Sequence, residues 1–207
     1  MSKNRKVEED NAVLSFSDFE NEVKSVKEKG KRIYSEITKA GDGFKRDVFR
    51  FLKFVWDSEK IPKAWDLTTL VQIFKRGDRS LLSSYRFVHL KHWMARIFDG
   101  LVFSKMKEDL VRNMSKFQIG AKPAHRPQEH IFVLNSVISL HKKLSIPLII
   151  QTWDITRYFD EHSLLEAQEW LADSSVPDKC YRLVWEMNRN TTVQVKTGAG
   201  TSATAVT

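Results

Sequence analysis

The stretch Ile149–Asp160, IIQTWDITRYFD, decides how the rest of the chain is read. Leu148, Ile150, Thr152 and Asp154 fall on one side at period two, and Ile149, Gln151, Trp153 and Ile155 fall on the other. Such alternation in so apolar a run predicts a buried strand that presents the Asp154 carboxylate at its exit edge. A carboxylate in that place serves as a cation ligand, as a helix cap or as half of a buried ion pair.

Working upstream, Pro147 delivers the chain from a helix predicted over Glu129–Leu144, carried by Ile131, Leu134, Val137, Ile138 and Leu140. The preceding FQIGAKPAHRP, Phe117–Pro127, breaks the helical pattern with Gly120, Pro123 and Pro127 and reads as a basic loop. A long helix is predicted from His92 through Asp109, with Ile97, Phe98, Leu101, Val102 and Met106 at helical spacing. Before it, Thr68–Phe74 and Tyr85–Leu90 read as the strands of a hairpin, with a turn at Arg76-Gly77-Asp78. Phe44–Trp56 reads as a helix, and so does the Lys- and Glu-rich N-terminal region, opened by a cap near Ser15 or Ser17. The basic run Lys27–Arg32 reads as the solvated end of that helix.

Downstream, Ser163 with Glu166 three residues later predicts a capped helix through Trp170 and Leu171. A second helix follows through Cys180, Leu183, Val184 and Met187, and Thr191–Thr197 reads as a strand. The organisation expected is a charged helical extension over 1–40, a mainly helical region over 41–145, and a region over 146–207 built on the Asp154 strand.

The chain has 207 residues, 42% hydrophobic and 29% charged, as in globular proteins. Its net charge of +8 is unevenly spread: +2 over residues 1–60, +9 over 61–150 and −3 over 151–207. A basic segment of that strength suits a polyanion, and a following acidic one suits cations. The hairpin alone carries Lys75, Arg76, Arg79 and Arg86, the side-chain types that grip phosphate. One cysteine, Cys180, allows no internal disulfide, and the charged start MSKNRKVEEDN does not resemble a secretion signal, so an intracellular protein of nucleus or cytoplasm is expected. No apolar run approaches the ~18 residues that span a bilayer, so no membrane partner is expected.

The common catalytic and metal signatures are missing. His89 with His92, and His125 with His130, have no third ligand at a recognisable spacing, which removes a zinc site. No GxGxxG, GxxxxGK[ST] or GxSxG occurs, which removes the usual dinucleotide, phosphate-loop and hydrolase readings.

Several stretches in order resemble the reverse transcriptase domain of non-LTR (LINE-type) retrotransposons. They are AGDGF, FLKFVWDSEKIPKAWDLTTLVQIFKRGD, SSYRFVHL, ARIFDGLV, FQIGAKPAHRPQEHIF and WDITRYFD, together covering about residues 40–207. The resemblance implies an α+β right-hand polymerase, of which this chain supplies the fingers and a partial palm, mostly helical with a small antiparallel sheet and a basic fingers hairpin. It implies that Asp154 is the first catalytic aspartate and a ligand of both Mg2+ ions, and that Phe159 lies under the sugar of the incoming nucleotide. Lys75 and Arg86 match the residues that grip the triphosphate, while Gln118 and Gly120 match a QxG element on the template path. The implied partners are an RNA template, a DNA primer and deoxynucleotide triphosphates.

The chain also departs from the family. Phe87 stands where a proline usually follows the fingers arginine, and Arg157 and Tyr158 stand where a lysine and a small residue precede the aromatic. The Gln-Gly segment and the paired aspartates would follow Gly198–Thr207, so a fragment of an RNA-directed DNA polymerase, inactive alone, is expected. Two other readings stay open: a nucleic-acid-binding remnant without catalysis, resting on the +9 segment, and a helical scaffold that binds only protein.

Overall fold

The polar residues that open the first helix already show how local chemistry sets its boundary. In a computed structural model, which describes residues 13–28, 37–120, 122, 124–155, 163–197 and 200–206, helix α1 spans Phe16–Glu28. Ser15 and Asp18 cap it reciprocally: the Asp18 N–H donates to Ser15 Oγ at 3.2 Å, and the Ser15 N–H donates to Asp18 Oδ2 at 2.8 Å. Of the two expected caps, Ser15 is the one used. The rest of the fold is mixed α+β and mostly helical, and it divides into two compact units, residues 1–107 with 176–207 and residues 108–175.

The first unit holds the core. Helix α2, Asp42–Ser58, turns Val48, Leu52, Val55 and Trp56 inward, a stripe of the i, i+4, i+7, i+8 kind that one helix face allows. Helix α3, Trp93–Asn113, answers with Ile97, Phe98, Leu101 and Val102, all essentially inaccessible. Phe98 is the junction of the aromatic packing, with Trp56 at 6.4 Å and Trp65 at 5.5 Å between ring centroids. Phe16 and Phe19 of α1 close on Phe49 of α2 at 5.3 and 6.0 Å. Asp18 also takes a 2.8 Å ion pair from Lys105 of α3. Burial pushes the Asp18 carboxyl up, yet the bonds from Lys105 and Ser15 outweigh it and hold the group below its ordinary value.

Helix α2 ends at Glu59, whose φ of 54° puts a non-glycine residue in the left-handed region. Its carboxylate receives both Arg182 Nε at 2.7 Å and Arg182 Nη2 at 2.8 Å from helix α6, whose range is Asp178–Asn188. That two-pronged bond, chiefly, holds Glu59 below the ordinary glutamate value. Helix α6 buries Cys180 and Leu183.

The sheet belongs to the same unit, in the order β2-β1-β3-β4 with β5 also on β3. Strand β1, Leu67–Phe74, pairs antiparallel with β2, Tyr85–Leu90, as the hairpin pattern predicts. It also pairs parallel with β3, Thr192–Thr197, so the sheet is mixed where an antiparallel one was expected. The short β4, Gly200–Thr201, and β5, Ala205–Val206, pair antiparallel with β3. Hydrophobic alternation specifies the faces of a strand and says nothing of its direction.

The second unit contains helices α4, Pro127–Leu144, and α5, Leu164–Asp173. The predicted cap of α5 is present, with the Glu166 N–H donating to Ser163 Oγ at 3.4 Å. The central expectation, a buried strand in Ile149–Asp160, is corrected. Residues 146–155 carry no ladder pairing and are exposed throughout, Ile149 at 94% and Trp153 at 85%. Alternation gives a segment two faces, but only a neighbouring strand gives it hydrogen-bond partners, and no described residue supplies one. The remaining residues of that stretch, 156–160, lie outside the described set.

Two outcomes follow for the first unit. Leu101→Ala opens a cavity in the core and lowers unfolding free energy by about 2–5 kcal/mol in denaturant titration. Because folding lowers the Glu59 pKa, its contribution is fully present above the ordinary value of 4.5 and is lost as pH falls through the lowered folded value. Glu59→Gln therefore lowers stability at neutral pH and flattens the acid limb of a stability–pH curve, whereas an unchanged limb would show the Arg182 bond to be idle.

Candidate functional site

A hairpin displays cations only if its turn is fixed and its strands leave side chains uncovered. Here β1 and β2 place Ile73 opposite Arg86, and the ladder continues past the strand end with the Lys75 N–H donating to Ser84 O at 2.8 Å. Lys75, two residues beyond Ile73, therefore stands on the same face as Arg86, one diagonal step away. The fold thus brings these two predicted residues together.

The other side of the hairpin is built from aromatics. Phe74 and Tyr85 are paired across the strands with ring centroids 5.5 Å apart. Arg79 lies over the Phe74 ring at 4.9 Å, and the Tyr85 hydroxyl donates to Arg79 O at 2.9 Å. A guanidinium seated on an aromatic face keeps its in-plane N–H groups available for an anion.

Between the strands Gly77 has φ 95°, a conformation that favours glycine, and a Cβ there would also crowd Ser84 Oγ at 3.1 Å. Asp78 accepts the Ser80 N–H at 2.8 Å, which holds its carboxyl below the ordinary value and fastens the tip. Lys75, Arg76, Arg79 and Arg86 are all exposed. Among the described residues none of the four makes an ion pair, so against the single Asp78 the tip keeps a surplus of positive charge.

The remaining predicted residues lie in the second unit. Gln118 Nε2 donates to Gly120 O at 3.2 Å in an exposed turn, where the Gln118 N–H donates to Ser115 O at 3.0 Å. Asp154 lies in the exposed segment 146–155 and makes no hydrogen bond or ion pair with a described residue. Arg157 and Phe159 lie outside the described residues. The expected Mg2+ is overturned. Among the described residues no three His, Cys, Asp or Glu side chains converge so as to hold a metal ion, and a cation of that hardness needs several oxygens at once.

Two features escaped the sequence reading. The Arg79–Phe74–Tyr85 cluster was hidden because its members are spread over twelve residues and meet only once the hairpin closes. At the start of α4, Glu129 accepts from both the Arg126 N–H at 3.0 Å and the His125 ring at 2.8 Å, and the His125 bond chiefly holds its carboxyl below the ordinary value. His125, screened as a metal ligand, is thus spent on a helix cap.

No described helix is long and apolar enough to cross a membrane. Comparison with protein-family models and with curated proteins gives no match to this sequence.

Proposed function

We propose that the chain binds the phosphate backbone of a nucleic acid through the β1–β2 hairpin, as a non-catalytic fragment related to the fingers and partial palm of a reverse transcriptase. What carries this reading is the set of exposed cations on a fastened turn, none in an ion pair among the described residues: Lys75 and Arg86 on one face, Arg79 seated on Phe74, and Arg76 at the tip. Phosphate contacts are made by such groups at little desolvation cost, and releasing counterions from the polyanion supplies the affinity. Base edges play no part in this arrangement, so RNA template and DNA primer strands are both suitable ligands. Lys75 and Arg86 then meet backbone phosphates, or the triphosphate of a nucleotide, as the family resemblance implies.

The non-catalytic part rests on Asp154, which is exposed and makes no hydrogen bond or ion pair among the described residues, and a carboxylate held by nothing orients neither a nucleophile nor a leaving group.

The reading is tested by fluorescence anisotropy with labelled single-stranded RNA and DNA over a salt series. Affinity falls steeply with salt, and each of Lys75→Ala and Arg86→Ala weakens binding to every sequence and reduces the logarithmic salt slope by about 0.7–1. Binding that ignores salt, or that survives both substitutions intact, would sink it. In a complete polymerase assay the chain extends no primer, and extension that disappears in Asp154→Ala would overturn the non-catalytic part.

A further inference from the structure

The cations of the hairpin tip stand among large apolar side chains that phosphate binding does not use. Leu81 and Leu82, two and three residues after Arg79, are 54% and 67% exposed, and Ile73 and Phe74 at the end of β1 are 52% and 39% exposed. Phosphate contacts are polar, so a ligand held by its phosphates alone gains nothing from these four. Apolar groups displayed beside cations suit a ligand that is charged along its backbone and has flat apolar faces elsewhere.

Arg79 is where the two kinds of surface meet. Its guanidinium lies over the Phe74 ring at 4.9 Å, and Tyr85 meets that ring edge-on at 5.5 Å. The Tyr85 hydroxyl holds the Arg79 main chain, while among the described residues the guanidinium makes no hydrogen bond or ion pair. A planar cation seated on a ring and exposed to solvent is a platform for an unpaired nucleobase, which stacks on guanidinium planes and aromatic rings alike. Lysine, a compact point charge, offers no such plane.

The shape of the tip points the same way. Strand β3 pairs with β1 only as far as Val71, so the hairpin continues from there as a ribbon of two strands ~4.8 Å apart. Lys75 and Arg86 share one face of this ribbon, and Phe74 and Tyr85 pair on the other. A flexible single strand passes over such a tip and meets both faces. Duplex DNA has a persistence length of about 50 nm and cannot follow it. Its base faces are also stacked on one another, out of reach.

We infer that the hairpin tip selects single-stranded over double-stranded nucleic acid by stacking an unpaired base on the Arg79 guanidinium. The inference rests on the phosphate-binding reading of the same hairpin and adds to it a contact that reads no sequence, because every base has a flat face. Phosphate capture alone gives the opposite preference, since a duplex carries one charge per ~1.7 Å of axis against ~3.4 Å for each of its strands.

Fluorescence anisotropy of the full chain with three labelled probes of equal length tests it: oligothymidylate, an abasic deoxyribose-phosphate strand, and the thymidylate–adenylate duplex. Oligothymidylate binds about fivefold or more tighter than the abasic strand, and tighter than the duplex. Arg79→Lys, which keeps the charge, brings oligothymidylate down to the abasic level and leaves abasic binding and the salt slope unchanged. The ranking of the probes by the unsubstituted chain decides the matter even if the variant fails to fold. An abasic strand bound as tightly as oligothymidylate overturns the inference and leaves the phosphate-binding reading standing, whereas no binding to any probe overturns both. A preference for the duplex, a folded Arg79→Lys chain that keeps the full preference for bases, or tighter binding to phosphatidylserine vesicles than to oligothymidylate also overturns it.

Discussion

The pairing of β1 with β3 is the constraint on which the first unit depends. Gln194 donates to Thr69 at 2.9 Å across it, and the Thr192 N–H donates to Asp66 O at 2.8 Å, contacts that close more than a hundred residues of chain. A two-stranded hairpin alone is at best marginal in water, so β1 and β2 need this third strand to keep their register. The register in turn puts Lys75 and Arg86 on a common face. A remote contact thereby fixes the local geometry of the basic hairpin, at the cost of a large loop-closure entropy.

Most of the first unit could be read from its residues. The stripes of α2 and α3, the Ser15 cap, the Tyr85–Leu90 return strand and the Thr191–Thr197 strand follow from periodicity and capping chemistry, which are local properties. The direction of β3 was not legible, because parallel and antiparallel neighbours are equally served by alternating side chains. The hairpin cations were legible as charges, whereas the seat of Arg79 on Phe74 depends on the closed turn.

The second unit shows the opposite case. IIQTWDITRYFD has the composition of a buried strand, and α4 has that of a packed helix, yet residues 146–155 are exposed and α4 has no buried residue. Composition states what a segment gains by burial, and only a partner of matching shape lets it collect that gain. The same fact removes the expected metal site, since among the described residues no group of His, Cys, Asp or Glu side chains converges on a cation. Where a prediction needed a third body, the sequence could name the surface and not its cover.

The Tyr85 hydroxyl on Arg79 O and the Ser80 N–H on Asp78 have a consequence for how the hairpin meets a ligand. Long cationic side chains lose about 2 kcal/mol of rotamer freedom when immobilised, and Arg79 has given up part of that freedom before any anion arrives. Its contribution on binding is then offset by less ordering than that of an arginine with no ring beneath it. Lys75 and Arg86, held only at the backbone, remain adaptable in reach. The tip thus joins one rigid anchor to two mobile ones, an arrangement that tolerates variation in phosphate spacing while keeping a single fixed point of contact.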